Sequence, residues 1–456
     1  MHVVILGAGI SGLATAWFIK KHCGSKAKIT LIEKSSRIGG WIQTVQVGDF
    51  LFEQGPRSCR TKGSGREMLT LIEELGIGDQ LIGAHPASRR RFIYRKGCLQ
   101  ELPQNPLGIL FKPAMQGWAG ALWRDWTASK SKEEDESVEA FFNRRLGKNW
   151  CSRLADPFMS GIYAGDIRKL SMRSCLPLLW SWEREYGSLL KGAWKQPKKK
   201  TASTAFVRKW ERESLFSFKR GMQALTEALG SHLNDEINLS LEPISIDCRR
   251  EGVIIRLAGG KELMADHLIS TLPAPTFAAL AAPFNDILSQ GLNALPYATV
   301  NVVNLGYRQS VLKKEGFGYL IPSEEKDSIL GCVWDSSVFP QQNFRREETR
   351  LTVMIGGTRN SAEQSIDKNG LEIALEALGR HLGISAIPDA VQIKLAKHAI
   401  PQYTVGHWAW CEMIQKQLSN LPRLTLAGSA FNGVSVNDCV AHSALSALQV
   451  RPYFDR

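Results

Sequence analysis

Apolar residues begin almost at the first position of the chain. Val3 to Leu6 is an unbroken apolar run, the pattern of a strand buried on both faces. Behind it Ile10, Leu13, Ala14 and Trp17 recur at helical spacing as far as Gly24, a helix stop. Lys28 to Ile32 reads as a second strand. Much later, "ADHLISTLPAP" (Ala265 to Pro275) reads as another strand of the same layer, so the chain leaves this layer and re-enters it. Before it, "LEPISIDCRREGVIIRLAGGKEL" alternates in short runs broken at Glu251-Gly252 and Gly259-Gly260, a meander signature. From Ala298 to Gly356 come β-rich runs, "TVNVVNLGY" and "LTVMIGG", and then the helical "GLEIALEALGRHLG": an antiparallel sheet with helices. "LTLAGSAFNGVSVNDCVAHSALSAL" closes the chain as strand, loop and a helix beginning around Ser435 to Asp438. No repeat is visible.

The stretch from 105 to 200 has a different texture. Pro113 is placed to start a helix whose Met115, Trp118, Ala119, Leu122, Trp123 and Trp126 form one apolar stripe. Such a stripe suits a membrane interface or a buried core equally well. The Trp-rich segment from Leu178 to Trp194 and the run Lys198-Lys199-Lys200 tilt the reading towards the membrane. A spanning helix is not expected, because Leu268 to Asn285, the longest charge-free apolar run of note, carries Pro273, Pro275 and Pro283. No signal peptide is expected before the first strand.

Composition narrows the classes. With 44% hydrophobic and 22% charged residues, the 456-residue chain is an ordinary folded protein of two or three domains. A formal charge of +13 favours an anionic partner. The basic residues are dispersed with no recognised nucleic-acid motif among them, so nucleic acid is not the expected partner. The nine cysteines lack any C-x-x-C and the nine histidines any H-E-x-x-H, so reduced thiols and no metal site are expected.

The chemistry sits at the first turn. Gly7, Gly9 and Gly12 follow the first strand directly, and Glu33 ends the second, twenty-one residues beyond Gly12. This is the full dinucleotide-binding unit. Gly7 allows the tight turn, Gly9 lets backbone approach a pyrophosphate, and Gly12 lets helix pack on strand. The helix N-terminus offers N–H groups and a positive dipole end. Glu33 would accept from an adenosine ribose, which argues against NADP. The following "KSSRIGGWIQT" and "FEQGPRS" resemble FAD-dependent oxidases of the amine-oxidase type. A helix start near Ser435 could stand at the flavin N1 and O2 edge. FAD is the expected cofactor.

Further motifs extend that resemblance along nearly the whole chain: "RRFIYRKGCLQELP", "GIYAGDIRKLSMRSCLPLL", "VVNLGY", "GFGYLIPS", "LTVMIGG", "IPQYTVGHW" and "NGVSVNDC". Together with the opening motifs, they resemble the oxygen-dependent protoporphyrinogen oxidase family. The resemblance implies six-electron oxidation of protoporphyrinogen IX to protoporphyrin IX in haem synthesis, with dioxygen reoxidising FAD and yielding hydrogen peroxide. It also implies peripheral membrane attachment in a family that is often a homodimer, and the dispersed reduced thiols put the chain on the cytoplasmic side of that membrane.

The fold so implied is α/β and α+β. A Rossmann-type FAD-binding domain (1–90, 205–280, 400–456) is interleaved with a mixed-sheet substrate domain (91–104, 281–399) and a helical, membrane-associating domain (105–204). Carried over position by position, the FAD shell comprises Gly7, Ala8, Gly9, Ile10, Ser11, Gly12, Glu33, Trp41, Gly55, Pro56, Arg57, Ser58, Ile244, Trp408, Gly433, Val434 and Ser435. Arg91 takes the position that pairs with a substrate propionate, though Arg89 and Arg90 beside it leave the register open. Gly161, Ile162 and Met354 match positions lining the tetrapyrrole pocket, and on its own Met354 would pass for a core methionine. No acid or base is identified. Three alternatives stand: coproporphyrinogen III oxidation, amine oxidation, and a non-catalytic escort protein on the same fold.

Overall fold

The computed structural model describes residues 1–104, 117–196, 203–358 and 370–450. Pro113, Met115 and Lys198 to Lys200 lie outside them. Five strands form one parallel sheet, in the order Ile237–Asn238, Lys28–Ile32, His2–Leu6, His267–Ser270, Leu424–Leu426. Its members come from four separated parts of the sequence, as the re-entry at Ala265 requires. The strand His2–Leu6 is central and its Val3, Val4, Ile5 and Leu6 are fully buried, which explains the unbroken apolar run. The helix Ile10–Cys23 follows, and Gly24 (φ +53°) ends it. It packs against the last described helix, Val436–Val450, where the Ser443 hydroxyl donates to Ser11 O at 3.0 Å. The strands Pro243–Cys248, Val253–Leu257 and Glu262–Ala265 form the expected antiparallel meander.

A second, seven-stranded mixed sheet runs Ala390–Pro401, Tyr297–Tyr307, Thr349–Gly356, Ile329–Val333, Gly318–Leu320, Arg91–Arg95, Cys98–Glu101. The strand Arg91–Arg95 pairs in parallel with Gly318–Leu320; the other ladders are antiparallel. Directly opposed residues project from one face of a sheet. Phe92, Tyr319, Cys332, Val353 and Val303 therefore share one face, buried with Ala374, Ala377 and Leu378 of the helix Gly370–Leu382. The other face is turned towards the parallel-sheet domain and a helical lobe.

That lobe contains Trp118–Thr127, Val138–Arg145, Asp156–Tyr163, Pro177–Tyr186 and Leu189–Lys195. In Trp118–Thr127 the buried positions are Ala121 and Asp125, while Trp123 and Trp126 are 71% and 50% exposed. The Trp side chains face outward because the helix buries a charge. Asp125 accepts from Ser188 Oγ at 2.7 Å and from the Leu189 and Leu190 N–H groups, at the N-terminus of the helix Leu189–Lys195. Trp194, 83% exposed, stands in the same lobe, and Lys191 Nζ lies 4.4 Å over the Trp126 ring. Among the described residues, no helix is long and apolar enough to cross a membrane.

Candidate active site

The carboxyl ends of the parallel strands converge on the first turn. Gly7 (φ +95°) turns the chain, with its N–H on Ile32 O at 2.8 Å. A Cβ on Gly12 would lie 1.8 Å from Gly7 O, so only glycine permits this packing of helix on turn. Gly9 meets Gly39 in a parallel bridge, and Gly39 N–H donates to Ala8 O at 2.8 Å. A Cβ on Gly40 would come within 3.1 Å of Gly9 Cα. Arg37 holds this second loop by donating to Gly40 O at 2.6 Å and Ile38 O at 3.0 Å. Gly9, Ile10, Ser11 and Gly12 form an N-terminus with no side-chain cap and no acid in its first turn. Its orphan N–H groups and positive dipole end fit a pyrophosphate.

Glu33 is already oriented. Its Oε2 accepts from Ala8 N–H at 2.8 Å and its Oε1 from the Ser35 N–H and hydroxyl. Two backbone bonds, Leu241 N–H to Glu33 O and Ser240 N–H to Ser35 O, lay the start of the meander beside it. Ile244, 57% exposed, stands three residues further along. Trp41 and Gly55 are in contact, since a Cβ on Gly55 would lie 2.0 Å from Trp41 O. Pro56, Arg57 and Ser58 continue from there towards the seven-stranded sheet.

The inner face of that sheet carries Arg91 and Met354, two of the residues expected on the substrate side. Cross-strand pairing aligns Ile93, Leu320, Gly331, Met354 and Val302 in one row. The neighbouring row is Arg91, Gly318, Val333, Thr352 and Asn304, on the same face. Gly161 packs over the first row, and a Cβ there would meet Leu320 Cδ2 at 3.0 Å. Ile162 follows, partly exposed. Met354 is half-buried against Ala164, Val302 and Leu330. Arg91 and Met354 thus lie on one sheet face, three strands apart, and Gly161 packs on Leu320 between them.

Arg90 and Arg91 of the arginine triplet take different surroundings. Arg90 pairs with Glu101 at 3.2 Å. Arg91 projects to the inner face, its guanidinium 4.9 Å over the Phe317 ring. Among the described residues, no carboxylate pairs with Arg91.

Where the two domains meet, Arg57 pairs with Asp335 at 3.3 Å. Thr352 Oγ1 lies 2.7 Å from both Asp335 Oδ2 and Asn304 Oδ1, and Asn304 donates to Glu53 O. Burial pushes the Glu53 carboxyl up to about 7, against bonds from Met222 N–H and Thr44 Oγ1. Asp335, Thr352, Asn304 and Glu53 were missed by motif reading. Asn304 carried a signal, since it is an amide inside the apolar run "VNVVNLGY".

The last part of the site is the loop 428–435. Gly433 (φ +112°) turns it, and Ser435 Oγ caps the helix Val436–Val450, accepting from Asp438 N–H at 3.2 Å. Ser64 Oγ in turn donates to Asp438 Oδ1. Gly433 and Val434 so stand before a helix N-terminus packed beside Ile10–Cys23. Trp408 neighbours this loop through His407, and Arg173 of the helical lobe lies 3.5 Å over its ring. A mixed-charge cavity of about 630 Å³ opens elsewhere, between Asp166, Lys169, Ser323, Lys326 and Thr358, and shares no residue with the cradle.

The family model for flavin-containing amine oxidoreductase matches residues 10–450. Protoporphyrinogen oxidase of Bos taurus is 37% identical, with 98% of each chain covered. That of Schizosaccharomyces pombe is 31% identical, again with 98% of each covered. The chain belongs to the protoporphyrinogen oxidases of the flavin-containing amine oxidoreductase family. A crystal structure from Exiguobacterium sp. 255-15, provisionally described as protoporphyrinogen oxidase, superposes with a TM-score of 0.83 at 26% identity, covering 99% of each chain. A putrescine oxidase variant shares the fold alone, with a TM-score of 0.73 at 14% identity. The protein is an FAD-dependent oxidoreductase, which sets aside an escort role on this fold.

Proposed function

We propose that this enzyme oxidises protoporphyrinogen IX to protoporphyrin IX, with dioxygen as final acceptor and hydrogen peroxide as by-product. The observation carrying the reading is full-length membership of a family whose relatives from mammals to fission yeast bear that one name. FAD, when bound, supplies a two-electron acceptor that is used three times per macrocycle. The residues present fit it: Gly7 to Gly12 for the pyrophosphate, Glu33 for the ribose, Ile244 for the adenine side. Trp41, Gly55 to Ser58, Trp408 and Gly433 to Ser435 surround the flavin end in this proposal.

The chain's own task is to hold a flat macrocycle and exclude water. Leu320, Gly331, Met354 and Val302 offer an apolar floor, with Gly161 and Ile162 above it. Arg91 fixes the orientation by pairing with a propionate. No side chain is assigned as acid or base. Because Arg90 is engaged by Glu101, the triplet offers fewer free cations than a four-propionate substrate would use. Rates on protoporphyrinogen IX and coproporphyrinogen III, with peroxide counted, test this. Protoporphyrinogen should be the faster, with three peroxides per porphyrin; preference for coproporphyrinogen would overturn the substrate assignment.

Two variants probe the parts. Arg91→Gln should raise KM by about 10- to 100-fold, the loss of a hydrogen bond to a charged partner, with kcat little changed; Arg90→Gln should leave KM alone. An unchanged KM for Arg91→Gln would remove Arg91 from the substrate. The proposal also includes the three-domain partition, a homodimer, and peripheral attachment on the cytoplasmic side of a membrane through the exposed Trp123, Trp126 and Trp194. Replacing these three with serine should abolish co-sedimentation with anionic vesicles while leaving the flavin bound. Undiminished vesicle binding would place attachment elsewhere.

A further inference from the structure

Tyr403 is almost wholly buried, 1% exposed, and touches the flavin-side loop at two points. Its Oη donates to Ser429 O at 2.5 Å and accepts the Gly433 N–H at 2.9 Å. The His407 ring stacks on it, with centroids 3.8 Å apart and planes 15° from parallel. His407 Nε2 donates to Ala430 O at 3.0 Å. One aromatic pair therefore fastens three backbone groups of a single short loop.

The pair is braced from behind. Ser171 N–H donates to Tyr403 O at 2.7 Å, and Leu170 and Thr404 form a bridge. Asp135 accepts from Gly406 N–H at 2.9 Å and from Ser171 Oγ at 2.8 Å. The loop it holds has little freedom at its far end, where a Cβ on Gly433 would come within 2.7 Å of Asp438 Cβ.

We propose that Tyr403 is a positioning residue for the flavin. By holding Ser429 O and Gly433 N–H together, it sets where the N–H groups of 434–435 and the helix N-terminus stand, and so tunes the reduction potential of bound FAD. The inference rests on the reading that this loop faces the flavin's pyrimidine edge. Donors aimed there favour the reduced, negatively charged form, and they do so only if held in place beforehand. Removing the hydroxyl leaves two backbone groups without their partner and lets the loop relax.

Tyr403→Phe keeps the ring and the stack on His407. Tyr319→Phe is the control: it also deletes a buried hydroxyl, bonded to His381 Nδ1 at 2.9 Å, but on the far face of the seven-stranded sheet. The midpoint potential of the bound flavin is measured by dye equilibration on the flavin-loaded protein freed of unbound FAD. Tyr403→Phe should shift the reduction equilibrium about tenfold towards the oxidised form, about 30 mV for a two-electron couple. Tyr319→Phe should leave it unchanged. An unshifted potential in Tyr403→Phe, or an equal shift in both, overturns the proposal. Val434→Pro, which deletes an N–H of the loop itself, separates the two layers. A shift there without one in Tyr403→Phe rejects positioning alone, and no shift in either rejects the flavin-facing loop as well.

Discussion

Gly12→Ala yields a protein that no longer retains flavin. The added methyl would sit 1.8 Å from Gly7 O and 3.0 Å from Thr271 Oγ1, both held by the strands they follow. The helix Ile10–Cys23 has to retreat from the turn, and its N-terminal N–H groups retreat with it. Displacements of about 1 Å in such positioned groups cost about 100-fold. A loss of FAD affinity of about 100-fold or more, about 2.7 kcal/mol, is the expected outcome. It is read from the FAD-to-protein ratio after desalting and from FAD titration. Gly48→Ala is the contrast: φ is +59°, but nothing lies within 4 Å of the new Cβ. It should keep its flavin and lose only a little stability through backbone strain. Full flavin content in Gly12→Ala would mean the cradle does not hold the pyrophosphate.

Arg145→Ala unfolds or severely loosens the helical lobe. The side chain is fully buried, with Nε on Glu183 Oε1 at 2.6 Å and Nη1 on Asp125 O, Ala128 O and Gly187 O. Asp125 and Glu183 are themselves fully buried, and Asp125 accepts from N–H groups at the N-terminus of the helix Leu189–Lys195. Removing Arg145 leaves buried Asp125 without its ion partner and Glu183 with Arg144 alone, at a cost of about 3–5 kcal/mol. Urea unfolding should show that loss, and vesicle binding should fall with it because the exposed tryptophans belong to this lobe. A change below about 1 kcal/mol would show that the network is not what holds the lobe together.

These cases show what could be read from the chain. The first strand, turn, helix, second strand and Glu33 were legible because they are contiguous, and backbone geometry dictates their glycines. The strands of the second sheet were visible singly, but their order was not. Arg91–Arg95 pairs with Gly318–Leu320 more than two hundred residues away, and no local signal encodes that partner. The same gap hid the Arg57–Asp335 pair. Periodicity found the helix Trp118–Thr127 but left its inward face undecided, because the buried position is Asp125, held by Arg145 and by backbone donors. Adjacent strand residues point to opposite faces, so the side on which Arg91 stands needed the phase of the strand, which Phe92 in the far core supplies. Tyr403 and His407 lay inside a quoted motif, yet their role depends on a loop some twenty-five residues further on.

The proposed activity requires this fold to pass electrons from a porphyrinogen to FAD. The most direct test mixes the purified, flavin-loaded protein with protoporphyrinogen IX without oxygen and follows flavin absorbance and porphyrin fluorescence together. The account predicts flavin bleaching in step with porphyrin formation, about one porphyrin per three flavins, and recovery of the oxidised spectrum when air is admitted. A flavin that stays oxidised while porphyrinogen persists would contradict it.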